Sequence, residues 1–239
     1  MPLSANIHRI AVACCTAIIL TSAACNAQRF KMEAYGMEGT IPRGTTFWAV
    51  ATDSIAHNDF VAFDYTDPQN GQQVWLFRAV GLPGDTVQLR KGILYVNGRI
   101  VPPPPKALIS YWVTYQARLR ADWLEDYQVD ELQSKPDRGE YLMHLSQADL
   151  QEVAKLPGYV SAEANLEPIH KSNRFIYQST EANGWNQDNY GPVIVPQAGT
   201  PGVPEDYYFV LGDNRHLARD SRYVGPIPAS SIHGTVEIE

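Results

Sequence analysis

Four stretches of this chain carry the short hydrophobic period of β-strands. FWAVA (47–51), FVAFDY (60–65), QVWLFRAVG (73–81) and TVQLRKGILYVNGRIV (86–101) are rich in β-branched and aromatic residues. Turn formers separate them: Asp67-Pro68 with Asn70-Gly71, then Pro83-Gly84-Asp85, then Asn97-Gly98. Within LYVNGRIV the Asn-Gly pair suits the two positive φ angles of a type I′ turn, which predicts a tight hairpin. The prolines of PPPPK (102–106) interrupt the pattern, because proline has no N–H to give to a ladder. It resumes with YYFVLGDNR (207–215) and runs to TVEIE at the C-terminus.

The stretch from Ala107 to about Pro196 has a different character. SQADLQEVAKLPG predicts a short helix, with Ser146 as N-cap, Asp149 at the capping-box position and Leu145 stapled to Leu150. Pro157-Gly158 ends it. The organisation expected is therefore a mostly β, antiparallel core in two parts, 29–101 and 196–239, with an α+β cap subdomain inserted at 102–195.

Residues 1–28 form a leader. Its apolar run, Ile10 to Cys25, has 16 residues. As a helix it would reach about 24 Å, short of a hydrocarbon core of about 30 Å. That length suits a signal-peptide core. The small residues of SAAC before Cys25 resemble a bacterial lipoprotein cleavage box, with Ser22 where leucine is usual. Three fates stay open: a lipid anchor on Cys25, an uncleaved N-terminal anchor, or secretion. The first two place the body on the outer face of the cell membrane.

Composition removes several functions. A formal net charge of -7, with no concentrated stripe of Lys and Arg, argues against a nucleic-acid partner. All three cysteines, Cys14, Cys15 and Cys25, lie in the leader, so the body has neither a disulfide nor a thiol nucleophile. The six histidines are scattered singly, without metal-ligand spacing, and neither a metal nor another cofactor is expected.

GDNRHLARDSRYVGPIP (212–228), with FRAVGLPGDTV (77–87), NDFVAF (58–63) and GMEGT (36–40), resembles the bacterial type I signal peptidases. The motifs stand in that family's order and cover roughly residues 29–101 and 184–239. The resemblance implies a membrane-tethered, mostly β endopeptidase that cuts signal peptides after small residues. Its chemistry is acyl transfer by a Ser–Lys dyad, in which a lysine kept neutral by burial takes the serine's proton.

The residues at the matching positions cannot perform that chemistry. The nucleophile position holds Gly36, the base position Phe77, the oxyanion-serine position Ala34 and the lysine-orienting position Ala218. Removing the nucleophile or the base from a serine-protease site costs on the order of 10⁶ in turnover, about 8 kcal/mol of barrier. No catalytic residue is therefore expected. The remaining motif residues read as scaffold: Arg78, Asp213, Arg215, Asp220 and Arg222 form ion pairs and hydrogen bonds that hold the core, and Asp85 shapes a turn. Met32, Ala34, Trp75 and Leu76 are the expected peptide-contacting residues of an apolar groove.

The function expected is a non-cleaving, membrane-anchored protein that docks an extended peptide or a signal peptide, or accompanies an active peptidase. Two alternatives stand beside it. One is an active serine endopeptidase with a displaced nucleophile, for which Tyr35, Thr40, Thr45, Thr46 and Lys31 are the nearby groups. On a continuous strand, Lys31 and Gly36 would face opposite sides. The other is an interaction module that works through the inserted subdomain.

Overall fold

The computed structural model describes residues 27–236, so Cys25 and the apolar run before it lie outside the described residues. In chain order the strands are β1 (Ala27–Lys31), β2 (Thr46–Val50), β3 (Phe60–Asp67), β4 (Gly71–Gly81) and β5 (Thr86–Arg90). They continue as β6 (Ile93–Val96), β7 (Arg99–Val101), β8 (Ile109–Tyr115), β9 (Gln128–Lys135) and β10 (Glu140–Leu145). Helix α1 (Gln147–Val153) follows, then β11 (Tyr159–Ala164), β12 (Tyr190–Ile194), β13 (Tyr207–Leu211), α2 (Ser221–Val224), β14 (Ile227–Pro228) and β15 (Ile232–Val236).

The fold is mostly antiparallel β. Three sheets carry it, in the orders β1-β2-β15-β3-β4-β13-β14, β12-β5-β6-β7 and β11-β8-β10-β9. Local chemistry explains the joints between neighbours. Asn97 and Gly98 take φ angles of 51° and 75°, the type I′ geometry, and close β6 onto β7. Ser146 caps α1 with a full capping box: its side chain accepts from the Asp149 N–H, and Asp149 accepts from the Ser146 N–H. Leu145 and Leu150 pack in the same apolar cluster, as a staple requires.

The long β3–β4 hairpin pairs Phe60 with Arg78 at one end and Asp67 with Gly71 at the other. On its far side β4 pairs with β13, setting Leu211 opposite Arg78. That register carries the chain after β13 alongside Phe77 and Arg78. Phe63, Leu76 and Phe77 bury their side chains in the core of this sheet, each worth about 1.5–3 kcal/mol.

The sheet β11-β8-β10-β9 lies wholly within 102–195, whereas β12 of the same segment pairs with β5. The first of these sheets is bolted to the core through the loop after β13. Leu108 N–H donates to the Asp213 carbonyl (2.7 Å) and Arg215 N–H to the Leu108 carbonyl (2.9 Å). Beside this bridge the Ser110 N–H donates to His216 Nδ1 at 3.0 Å, so the proton of that ring sits on Nε2 and is donated to Asp188. The Ser110 hydroxyl meets Nδ1 of the buried His144 at 2.9 Å.

Burial pushes the His144 imidazole below its ordinary value of 6.5. The unfolded chain therefore takes up this proton first. The stability His144 contributes is complete above about pH 6.5 and is lost progressively as pH falls below it towards the folded-state value. Urea midpoints are expected to fall between pH 7.5 and pH 5.5, and to fall less in His144→Gln. Equal pH slopes for the two proteins would assign the loss to other groups.

Candidate functional site

Gly36 sits in the turn that follows β1, and its carbonyl accepts from the Asn214 N–H at 3.0 Å. A Cβ added to it would lie 2.8 Å from Cε1 of Phe77 and 3.4 Å from Ala218. The three positions that would carry nucleophile, base and base-orienting serine therefore converge, although they are scattered along the sequence. Gly212 lets them do so. A side chain there would collide with Ala218 and with the Gly36 carbonyl.

The Phe77 ring occupies the centre of this convergence. It is buried, with the Phe63 ring 6.2 Å and the Trp75 ring 5.9 Å away, centroid to centroid. Trp75 in turn lies 4.0 Å from the Tyr65 ring and donates its indole N–H to Gln73. A chain of aromatic rings thus runs along β3 and β4 from the convergence to the solvent.

Two of these rings, Phe77 and Trp75, line a cavity of about 600 Å³, within the ordinary range for ligand sites. Met32, Ala34, Trp75 and Leu76 all line it, together with Gly36 and Phe77. Met32 and Leu76 are buried, Trp75 half-buried and Ala34 exposed. Among the described residues, none of those lining this cavity carries a hydroxyl, thiol or imidazole. Its one amine is that of Lys31, whose side chain is 60% exposed and pairs with Glu33 at 3.5 Å. A lysine acts as a neutral base only when desolvated, and this one is not.

The opposite-face argument for Lys31 requires correction. β1 ends at Lys31 and the chain turns, so strand alternation does not carry on to Gly36, and both residues reach one cavity. The hydroxyls of Tyr35, Thr40, Thr45 and Thr46 do not line it. Tyr35 accepts from Arg43, and the buried Thr40 hydroxyl has no partner among the described residues.

Sequence reasoning missed the cavity's polar wall. Asp67, taken as a turn former, is buried; it accepts from the N–H groups of Gln69 and Asn70 and from Arg219 (2.8 Å). The Gln69 hydrogen bond, against the opposing effect of burial, holds its carboxyl below the ordinary range, with Asn70 and Arg219 adding to the effect. Asp67 thereby ties the β3–β4 turn to the loop that carries Ala218. An aspartate before proline signals a turn but not this second partner, 152 positions away.

The charged motif residues frame the site. Arg78 forks onto Asp213 at 2.9 and 2.6 Å, donates to the Asn58 carbonyl and lies 4.2 Å over the Phe60 ring. Asp220 accepts from the Gly212 N–H and from both Nε and Nη2 of Arg222, and both side chains are buried. Asp85 accepts from the Leu82 N–H, Asn97 and His57. Burial raises its pKa, but these hydrogen bonds outweigh it and hold the group below its ordinary value. Arg215 departs from expectation. Among the described residues no carboxylate lies within salt-bridge reach of its guanidinium, and burial, then repulsion from Arg222, pushes it down to about 10. Its backbone, not its side chain, makes the connection to Leu108.

With this geometry in place, comparison with known proteins is informative. The family model described as signal peptidase, peptidase S26, matches residues 3–239. The signal peptidase I of Aquifex aeolicus is 27% identical over 186 residues, which cover 74% of this chain and 59% of that protein. The signal peptidase I of Streptococcus pneumoniae is 22% identical over 211 residues, covering 85% of this chain and 77% of that protein. The crystal structure of a signal peptidase I from Enterococcus faecalis is matched at 24% identity and a TM-score of 0.35, over 78% of this chain and all of that one.

Proposed function

The chain belongs to the signal peptidase family, peptidase S26, and from that premise we propose that it binds an extended peptide in the family's groove without cleaving it. The observation that carries this reading is the lining of the cavity: a packed ring from Phe77 against Gly36, with no hydroxyl, thiol or imidazole among the described residues of its wall. An acyl transfer needs a nucleophile and a base within hydrogen-bond reach of each other. Here the two matching positions supply carbon and hydrogen only.

Binding does not need those groups. Among the described residues β1 is the outermost strand of the seven-stranded sheet and no strand pairs with its outer edge, which suits the addition of a peptide strand. Phe30 and Lys31 of that strand line the cavity, so an added strand would lay alternate side chains over Met32, Trp75 and Leu76. Signal peptides, with an apolar segment followed by small residues, fit an apolar floor of this kind. Members of the family are membrane-associated, and the apolar run ending at Cys25 is consistent with an anchor, by lipid or by helix. No helix among the described residues is long and apolar enough to cross a membrane. An active peptidase that shares such substrates is the natural companion.

The test uses the detergent-solubilised full chain and a synthetic signal peptide ending in Ala-x-Ala, followed by mass spectrometry and by fluorescence anisotropy of a labelled copy. Saturable binding without cleavage is the expected result, with binding weakened in Trp75→Ala. Cleavage that persists through repurification from a peptidase-null host would overturn the proposal, as would absence of binding.

A further inference from the structure

A second cleft, sharing no lining residue with the first, lies between the β5–β6 hairpin and the loop leading to β12. Its volume is about 450 Å³. Strand alternation builds one wall: Val87, Leu89 and Leu94 point into the core, so Gln88, Arg90, Ile93 and Tyr95 stand on the outer face. The half-buried Trp185 and the exposed Ile169 form the other wall. The lips are joined by Asn189, which accepts from the Lys91 N–H and donates to the Glu167 carbonyl, so the cleft is formed in advance of any ligand.

Its charge runs against that of the protein. The chain carries a formal net charge of -7, yet no aspartate or glutamate lines this cleft. Some exposed cations elsewhere are paired, as Lys171 is with Glu167 and Arg120 with Asp122. Others, Arg99 and Arg174 among them, are not paired among the described residues, so what sets the cleft apart is two cations side by side with no acid in its walls. Among the described residues, Arg90 and Lys91 have no carboxylate partner, and the Arg90 guanidinium stacks 5.1 Å over the Tyr95 ring. Both lips also hold residues in the left-handed region that side chains avoid: Lys91 at φ 49° and His170 at φ 67°. At Lys91 this conformation belongs to the two-residue Lys91-Gly92 turn that closes β5 onto β6, which projects the Lys91 side chain from the lip.

The walls combine ring faces with idle hydrogen-bonding groups. Neither the Gln88 amide, the Tyr95 hydroxyl nor the Trp185 indole N–H has a partner among the described residues. Ring faces suit the C–H face of a sugar, free donors and acceptors suit its hydroxyls, and unpaired Arg and Lys suit an anionic substituent. We propose that this cleft binds an acidic carbohydrate, its ring laid on Tyr95 and Trp185 and its carboxylate or phosphate held by Arg90 and Lys91.

The experiment is ligand-observed NMR on the full chain with three probes: a disaccharide containing glucuronic acid, a hexose 6-phosphate, and a neutral glucose disaccharide. At least one acidic probe is expected to saturate, at least about tenfold more tightly than the neutral one, and to weaken as salt is added. Saturation by the glucuronate probe alone identifies a carboxylated sugar, and by the hexose phosphate alone a phosphorylated one. The surface variant Arg90→Gln/Lys91→Gln should reduce acidic binding to the neutral level, and Tyr95→Leu should weaken all binding. The inference is overturned if neither acidic probe saturates, if acidic and neutral probes bind alike, or if acidic binding survives the double variant.

Discussion

Asp220→Ala is expected to destabilise the folded chain by about 3–5 kcal/mol, the usual consequence of stranding one member of a buried ion pair. Asp220 is wholly buried, and its carboxylate accepts from the Gly212 N–H, the Arg222 N–H and two guanidinium nitrogens of Arg222. Truncation leaves Arg222, 1% exposed, without its counter-charge and close enough to Arg215 for the two cations to repel. The remaining bonds of Arg222, to the carbonyls of Gln187 and Arg215, satisfy its geometry but not its charge. A loss of this size is a large share of the roughly 5–15 kcal/mol that a domain possesses. Guanidinium unfolding would measure it. A loss under 1 kcal/mol would mean that water reaches Arg222 and that the pair is not sealed.

Gly36→Ala should cost about 1–3 kcal/mol, and most of that cost should vanish when Phe77 is made smaller. The new methyl would stand 2.8 Å from Phe77 Cε1, a separation that requires the ring to move. The ring packs against Phe63 and Trp75 and can yield only towards the cavity it lines. In a cycle with Phe77→Leu, the coupling between the two sites should reach about 1–2 kcal/mol in the compensating direction. Additive effects would show that the ring yields freely. The same contact bears on function. A serine at position 36 would meet the Phe77 ring in the same way, so the glycine and the phenylalanine form one packing unit.

The sequence was legible where structure depends on a few consecutive residues. Strand period located β2, β3, β4 and the β5–β7 meander; the Asn97-Gly98 turn closed as its residue types demand; Ser146 and Asp149 made the expected capping box. The residue types at Ala34, Gly36, Phe77 and Ala218 were equally legible, since glycine, alanine and phenylalanine carry no hydroxyl or amine wherever they are placed. Met32, Ala34, Trp75 and Leu76, expected from the sequence as the contacts of an apolar groove, line one cavity.

What the amino-acid order determined by itself, then, is the alphabet of strands and turns, the mostly β character and the want of reactive groups at four positions. Tertiary structure alone decided who meets whom. It brought Gly36 to Phe77 and Ala218, gave Asp67 a partner in Arg219, left Arg215 without a carboxylate partner among the described residues, and joined Ser110 to both His144 and His216. It also ended β1 at Lys31, defeating an argument from alternation. The physical reason is the range of the interactions. A turn or a cap is settled by torsions and hydrogen bonds among neighbours, whereas Arg78 and Asp213 lie 135 positions apart and meet only because β4 and β13 are adjacent in one register.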